Sequence, residues 1–145
     1  MNEIFTSQSE SETMQIASDL AKECRKGDII CLEGELGAGK TRFVKGFAEY
    51  FGIEPGSVTS PTFNLIHEYY NENAIPVYHF DCYRLESAEE ALDIGAEEYF
   101  YGGGVSIIEW PERIAEILPD EIIRVIIRVT GENSRQIEIQ FPSET

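Results

Sequence analysis

Residues 28–48 read Asp28-Ile-Ile-Cys-Leu-Glu-Gly-Glu-Leu-Gly-Ala-Gly-Lys-Thr-Arg-Phe-Val-Lys-Gly-Phe-Ala48. The apolar run from Ile29 to Leu32 is too short for a helix and is closed by a glycine. It predicts a strand buried on both faces, as in a parallel sheet. From Lys40 onward Phe43, Val44, Phe47, Ala48 and Phe51 recur on one helical face, and Gly52 ends the pattern. Between strand and helix, Gly34, Gly39, Lys40 and Thr41 meet the pattern G-x-x-x-x-G-K-[ST]. Glycines let the backbone adopt positive φ and bring its N–H groups onto phosphate oxygens. A lysine at this place reaches the β- and γ-phosphates, the following hydroxyl binds Mg²⁺, and the helix adds its positive N-terminal end. A chance match in a chain of this length is on the order of one in a few hundred. The strand before and the helix after supply the context the motif requires. Gly34, Glu35, Leu36, Gly37, Ala38, Gly39, Lys40 and Thr41 are therefore the candidate cradle for a nucleoside triphosphate.

Upstream of this unit, Ser9 and Glu12 have capping-box spacing, and Met14, Ala17, Leu20, Ala21 and Cys24 follow at helical spacing. Lys22, Arg25 and Lys26 precede Gly27, so an amphipathic helix is expected over about residues 10–25. Downstream, Glu54 to Thr62 is rich in turn residues. Phe63–Tyr70 and Ile75–Arg84 alternate and are joined by a short link, which predicts a hairpin. A short helix is expected around Ala88–Asp93, a flexible turn at Gly102–Gly104, a short apolar strand at Val105–Glu109 and a helix start at Pro111. Over Glu121–Thr130, Ile123, Val125, Ile127 and Val129 alternate with Arg124 and Arg128. With a last strand through Ile137, Ile139 and Phe141 they predict an antiparallel hairpin with one wet face. The order is that of an α/β fold: one P-loop NTPase-like domain over residues 1–145, a mixed sheet flanked by helices, and a C-terminal antiparallel hairpin.

Hydrolysis at such a loop needs carboxylates near the metal. Two apolar strands end in acid, Pro76-Val-Tyr-His-Phe-Asp81 and Val105-Ser-Ile-Ile-Glu109. If both run parallel to the strand before the loop, Asp81 and Glu109 both face the phosphates. Either can hold the metal while the other orients the attacking water; spacing does not divide these roles. Lys40, Asp81 and Glu109 are the candidate catalytic set, and Thr41, Glu109 and Asp81 the candidate metal set. Thr59-Ser60-Pro61-Thr62-Phe63 lies where switch-type NTPases sense the γ-phosphate, and reads equally as a structural turn around Pro61. His67 and His79 read as satisfied, partly buried strand residues. Trp110 reads as core or as a wall of the nucleotide or partner site. Arg42, Arg84 and Arg113 are open candidates for stabilising transition-state charge.

Bulk properties exclude several classes. The net charge of −16 opposes a phosphate backbone, and no element carries a basic stripe, so strong direct nucleic-acid binding is not expected. Acid concentrates in Glu86–Glu98, a solvated helical face or a docking surface for a basic partner. The start, MNEIFTSQSE, lacks the basic and apolar regions of a signal peptide, and no apolar run matches a bilayer. No membrane association and a cytoplasmic location are expected. Cys24, Cys31 and Cys82 have no paired or metal-ligand spacing and read as reduced core residues. No [NT]-K-x-D element is present for reading guanine, and no arginine-rich lid marks a small-molecule kinase.

The succession GELGAGKT, SPTFNL, HFDCYRL and IEWPER, in this order and spacing, resembles the bacterial TsaE family (the YjeE/YdiB group) over essentially the whole chain. The resemblance implies a small Mg²⁺-dependent ATPase, with ATP and Mg²⁺ as cofactors, required for threonylcarbamoyladenosine formation at the tRNA adenosine beside the anticodon. It implies TsaB and TsaD as partners, with ATP hydrolysis resetting their complex and tRNA met only through them. The family's phosphate loop falls on Gly34–Thr41, its Walker-B-like acid on Asp81, its magnesium-associated acid on Glu109 with Trp110 beside it, and its switch-like segment on Ser60-Pro61-Thr62. Its N-terminal approach to the nucleotide puts Ser9 and Glu10 near the base or ribose. A small-molecule phosphotransferase and a non-hydrolysing, nucleotide-gated binding module remain alternatives on the residues alone.

Overall fold

Strand β2 (Ile29–Glu33) is the axis of the molecule. Its residues Ile29, Ile30, Cys31 and Leu32 are all but completely buried, because parallel neighbours flank it and helices cover both of its faces. The computed structural model describes residues 2–35, 37–58, 65–72 and 74–142. Along the chain come β1 (Asn2–Ser7), α1 (Glu10–Glu23), β2, α2 (Lys40–Tyr50), β3 (Ile66–Tyr69) and β4 (Val77–Asp81). They are followed by α3 (Ala88–Asp93), α4 (Ala96–Phe100), β5 (Val105–Glu109), a 3-10 helix (Pro111–Ile117), β6 (Ile123–Val129) and β7 (Arg135–Gln140).

The strands form one seven-stranded sheet in the order β1-β7-β6-β2-β5-β4-β3. Strands β6, β2, β5 and β4 are parallel, and β7 and β3 pair antiparallel to the outer members of that set. The mixed α/β sheet and the C-terminal hairpin are as the sequence predicts. Alternation along each strand divides the core in two. Ile30, Leu32, Val77, Val105, Ile107, Val125 and Ile127 face α1 and α2. Ile29, Cys31, Phe80 and Ile108 face α3, α4 and the 3-10 helix. Phe43, Val44 and Phe47 of α2 are wholly buried, each stabilising the helix by about 1.5–3 kcal/mol of burial. The helix that follows the glycine-rich loop is thereby fixed to the sheet. Gly46 of α2 lies so close to α1 that an added Cβ would stand 2.3 Å from the Met14 carbonyl oxygen.

The structure departs from the sequence expectations at three places. Strand β1 has no counterpart among them: its Ile4 is 63% exposed, its inward face carries Glu3, Phe5 and Ser7, and its pairing with β7 joins opposite ends of the chain. Helix α4 follows α3 after a break at Gly95, whose φ of 84° interrupts the helical run. The Gly102–Gly104 turn is tightly packed at Gly104, where a Cβ would lie 2.5 Å from the Pro76 carbonyl oxygen. Leu36 and residues 59–64, which include the SPT segment, lie outside the described residues. Among the described residues no helix is long and apolar enough to cross a membrane.

Candidate functional site

The chain leaves β2 at Glu33, whose carboxylate is held bidentately by Arg124 of β6 at 2.6 and 3.0 Å. Gly34 follows at a point where a side chain would strike the Ile127 carbonyl at 2.9 Å and the Ala38 side chain at 3.2 Å. The loop turns through Gly37 (φ 80°) and Gly39 (φ 107°), conformations that only glycine adopts without strain. Ala38 N–H donates to the Glu35 carbonyl at 3.0 Å, and Gly39 caps α2, its carbonyl accepting from Phe43 N–H at 3.0 Å. A feature the sequence motif does not show is Arg135, the first residue of β7. Its Nε donates to the Ala38 carbonyl at 2.8 Å while its guanidinium also reaches the Gly131 and Ser134 carbonyls. The loop is pinned by a strand about a hundred residues away in the chain.

Lys40 opens α2 and is buried to 6% exposure. Its Nζ has no hydrogen-bond partner among the described residues. It lies 4.0 Å from the centre of the Trp110 ring, so the cation meets a π face. Such a contact contributes about 0.5–2 kcal/mol but satisfies no N–H donor directionally. Burial pulls the ammonium below the usual lysine range, and Glu109, Asp81 and Glu112 pull it back up. An ammonium held this way fits a multiply charged anion arriving at the loop.

The parallel register brings the two strand-end acids together. Asp81 of β4 pairs with Glu109 of β5, and Glu109 is in register with Leu32 of β2, one strand from the loop. Glu109 is 5% exposed, and its Oε2 lies 2.5 Å from His79 Nε2. Asp81 is half-buried and accepts from Tyr83 N–H at 3.0 Å. Burial raises its carboxyl above the usual aspartate range, the Tyr83 N–H lowers it and the Glu109 charge raises it. Among the described residues no cluster of three or more His, Cys, Asp or Glu side chains could cage a metal. Magnesium does not require one: it is commonly held by one or two carboxylates, a hydroxyl and phosphate oxygens, with waters completing the shell. Thr41, Glu109 and Asp81 fit that donor set.

Trp110 is partly buried against the core on the α3–α4 side of the sheet and also borders a cleft beside the loop. It packs on Tyr83 with ring centres 4.9 Å apart and lines a cleft with Gly34, Glu35, Lys40 and Glu112. Its φ of 57° makes it the one non-glycine residue with positive φ among those described, a strained turn placed directly after Glu109. On the other side of the loop, Ser9 and Glu10 share a cleft of about 560 Å³ with Gly37, Gly39, Arg42 and Arg135. Ser9 caps α1 by accepting from Glu12 N–H at 3.1 Å, and Glu10 pairs with Arg42 at 3.1 Å. Glu112, His79 and Arg135 were not singled out for the site by sequence. Glu112 lies in IEWPER and His79 in HFDCYRL, so motif membership was the signal available; Arg135 had none. Arg84 and Arg113 are exposed.

Comparison with known proteins places the chain in a family and matches its fold. A family model described as "Threonylcarbamoyl adenosine biosynthesis protein TsaE" matches residues 7–137. The chain is 48% identical over 126 residues to the tRNA threonylcarbamoyladenosine biosynthesis protein TsaE of Bacillus subtilis, covering 87% of this chain and 77% of that one. It is 41% identical over 133 residues to the TsaE protein of Treponema pallidum, covering 92% and 96% of the two chains. The crystal structure of Bacillus subtilis YdiB superposes with a TM-score of 0.81 at 37% identity, covering 99% of this chain and 87% of that one. With motif order, fold and relatives in agreement, the chain belongs to the TsaE family, which serves tRNA threonylcarbamoyladenosine biosynthesis.

Proposed function

We propose that this chain binds ATP and Mg²⁺ at the 34–41 loop and hydrolyses ATP in support of the TsaB–TsaD complex that modifies adenosine 37 of tRNA. The observation that carries this reading is the buried Lys40 ammonium at the start of α2, which has no hydrogen-bond partner among the described residues and feels the charges of Glu109 and Asp81 at the ends of adjacent parallel strands. The loop N–H groups and the α2 N-terminus receive the phosphates, and Lys40 lays its charge against the β- and γ-oxygens. Thr41 and Glu109 hold the metal, Glu109 being the acid one strand from the loop and the strongest charge acting on Lys40. Bound Mg²⁺ supplies charge neutralisation across the phosphate oxygens. Asp81, one strand further out and more open to water, orients the attacking water or a water of the metal shell. Ser9 and Glu10, across the Gly37–Gly39 turn, flank the ribose or base.

Phosphate release measured with and without Mg²⁺, TsaB–TsaD and tRNA tests the reading. Slow release alone and faster release with the complex are expected. Lys40→Ala and Glu109→Ala should each abolish the stimulated rate; retention of that rate in both would refute the site. Appearance of the γ-phosphate on an organic acceptor would replace hydrolysis with phosphotransfer.

A further inference from the structure

His79 is the most deeply buried titratable side chain near the site, with no exposed surface, and the chemistry above does not use it. It stands two residues before Asp81 on the same face of β4, in register with Ile107, and its ring reaches diagonally to Glu109 on β5. Nε2 meets Glu109 Oε2 at 2.5 Å. Nδ1 has no partner among the described residues, so the hydrogen bond to Glu109 is what ties the ring to the polar side of the sheet. With Glu109 as a carboxylate, Nε2–H is the donor. A glutamate side chain rotates about three bonds, and on a strand end it would sample several orientations. A fully buried ring hydrogen-bonded to one carboxylate oxygen restricts the rotation of that carboxylate.

We propose that His79 is a positioning residue: its Nε2–H clamps Oε2 of Glu109 and presents Oε1 to the magnesium ion at the 34–41 loop. This rests on the Mg²⁺–ATP reading of that site. It extends the common arrangement in which the partner of a metal ligand fixes that ligand's orientation, here with histidine as the partner and carboxylate as the ligand. Removing the clamp leaves the phosphate cradle intact and loosens only the metal side of the site.

The test separates metal from nucleotide. Mn²⁺ binding to the ATP complex is followed by electron paramagnetic resonance, and ATP binding in EDTA by calorimetry, on the full chain. His79→Leu keeps bulk and removes the donor; it should weaken Mn²⁺ binding about tenfold or more while metal-free ATP affinity stays within about twofold. His79→Gln, whose Nε2 retains a donor at a similar reach, should recover most of that loss. Unchanged Mn²⁺ affinity in His79→Leu overturns the proposal. So does an equal loss of both affinities that His79→Gln does not rescue, which marks a purely structural role. Should His79→Leu fail to fold, the wild-type imidazole decides. The chain has two histidines, so the ¹⁵N spectrum is readily assigned. The His79 Nε2–H resonance should shift when Mg²⁺ is added to the ATP complex, and an unmoved resonance overturns the proposal. Wild-type protein that binds no Mn²⁺ with ATP would instead remove the Mg²⁺–ATP reading itself, and this inference with it.

Discussion

Lys40 is placed where its charge is hardest to keep. It is buried, it has a π face beside it, and no hydrogen-bond acceptor among the described residues reaches it. Lys40→Met should therefore cost little stability, within about 1 kcal/mol, because no hydrogen bond is lost and the desolvation cost disappears, against the lost attraction of Glu109 and Asp81. ATP affinity should fall about 10- to 100-fold, the worth of a charge-assisted contact. Thermal melts and calorimetry on the one variant check both. Asp81 gives a pH prediction. Its folded carboxyl is raised by burial above the usual aspartate value, so across that window the folded state holds more protons than the unfolded one. Stability contributed by this group is present at acid pH and falls as pH rises through the window. Asp81→Asn keeps an acceptor for the Tyr83 N–H and removes the buried charge. Its melting temperature should match or exceed that of the wild type at pH 7 and lose that part of the acid-side slope, while Mg²⁺-dependent hydrolysis falls. A clear drop in melting temperature at pH 7 would show that the burial cost is misassigned.

At the scale of elements, two contacts between distant segments hold the site. Helices α1 and α2 meet at Gly46, where the Met14 backbone leaves no room for a Cβ. A glycine inside a helix costs about 1 kcal/mol of propensity relative to alanine, so Gly46→Ala would stabilise an isolated helix. Here it should destabilise the protein by about 1–3 kcal/mol or more, since the clash is with backbone, which cannot rotate away. Denaturant unfolding checks the sign. The second contact is Arg135 with the Ala38 carbonyl. Arg135→Ala should leave the β6–β7 ladder intact and raise amide exchange at Ala38 and Gly39 about tenfold, the equivalent of one net hydrogen bond. Protection unchanged at those two amides would mean the loop holds its own shape. The helix α1 start was legible from Ser9 and Glu12 and is confirmed, with Glu12 reaching back to Gln8 N–H. Strand β1 was not legible, because its one strongly apolar outward residue, Ile4, faces away from the core and its partner strand is sequence-remote.

At the scale of the whole molecule, net charge and surface set what the chain can touch. At −16 it should show no measurable tRNA binding of its own at about 0.15 M salt, where a phosphate backbone needs cationic contacts to displace its counterions. A mobility-shift titration checks this, and submicromolar binding by the isolated chain would assign it a direct RNA contact. Of the Glu86–Glu98 acids, Glu86 precedes α3 and the others lie on α3 and α4, all exposed, on the side of the sheet opposite α1 and α2. They lie on the far face from Lys40 and do not enter the site.

The sequence by itself determined the strand–loop–helix unit, the two strand-end acids and the family, because each is written in local order: a buried run, a glycine spacing, a motif succession. The tertiary structure decided which of these meet. Register between β4 and β5 set Asp81 beside Glu109, and β5 against β2 set Glu109 one strand from the loop. The same packing put Trp110 over Lys40, Arg135 on Ala38 and His79 on Glu109. Those pairs join residues separated by 30 to 97 positions, and no periodicity in one chain encodes a partner at such a distance. Pairing strands fix them only once the whole sheet is formed.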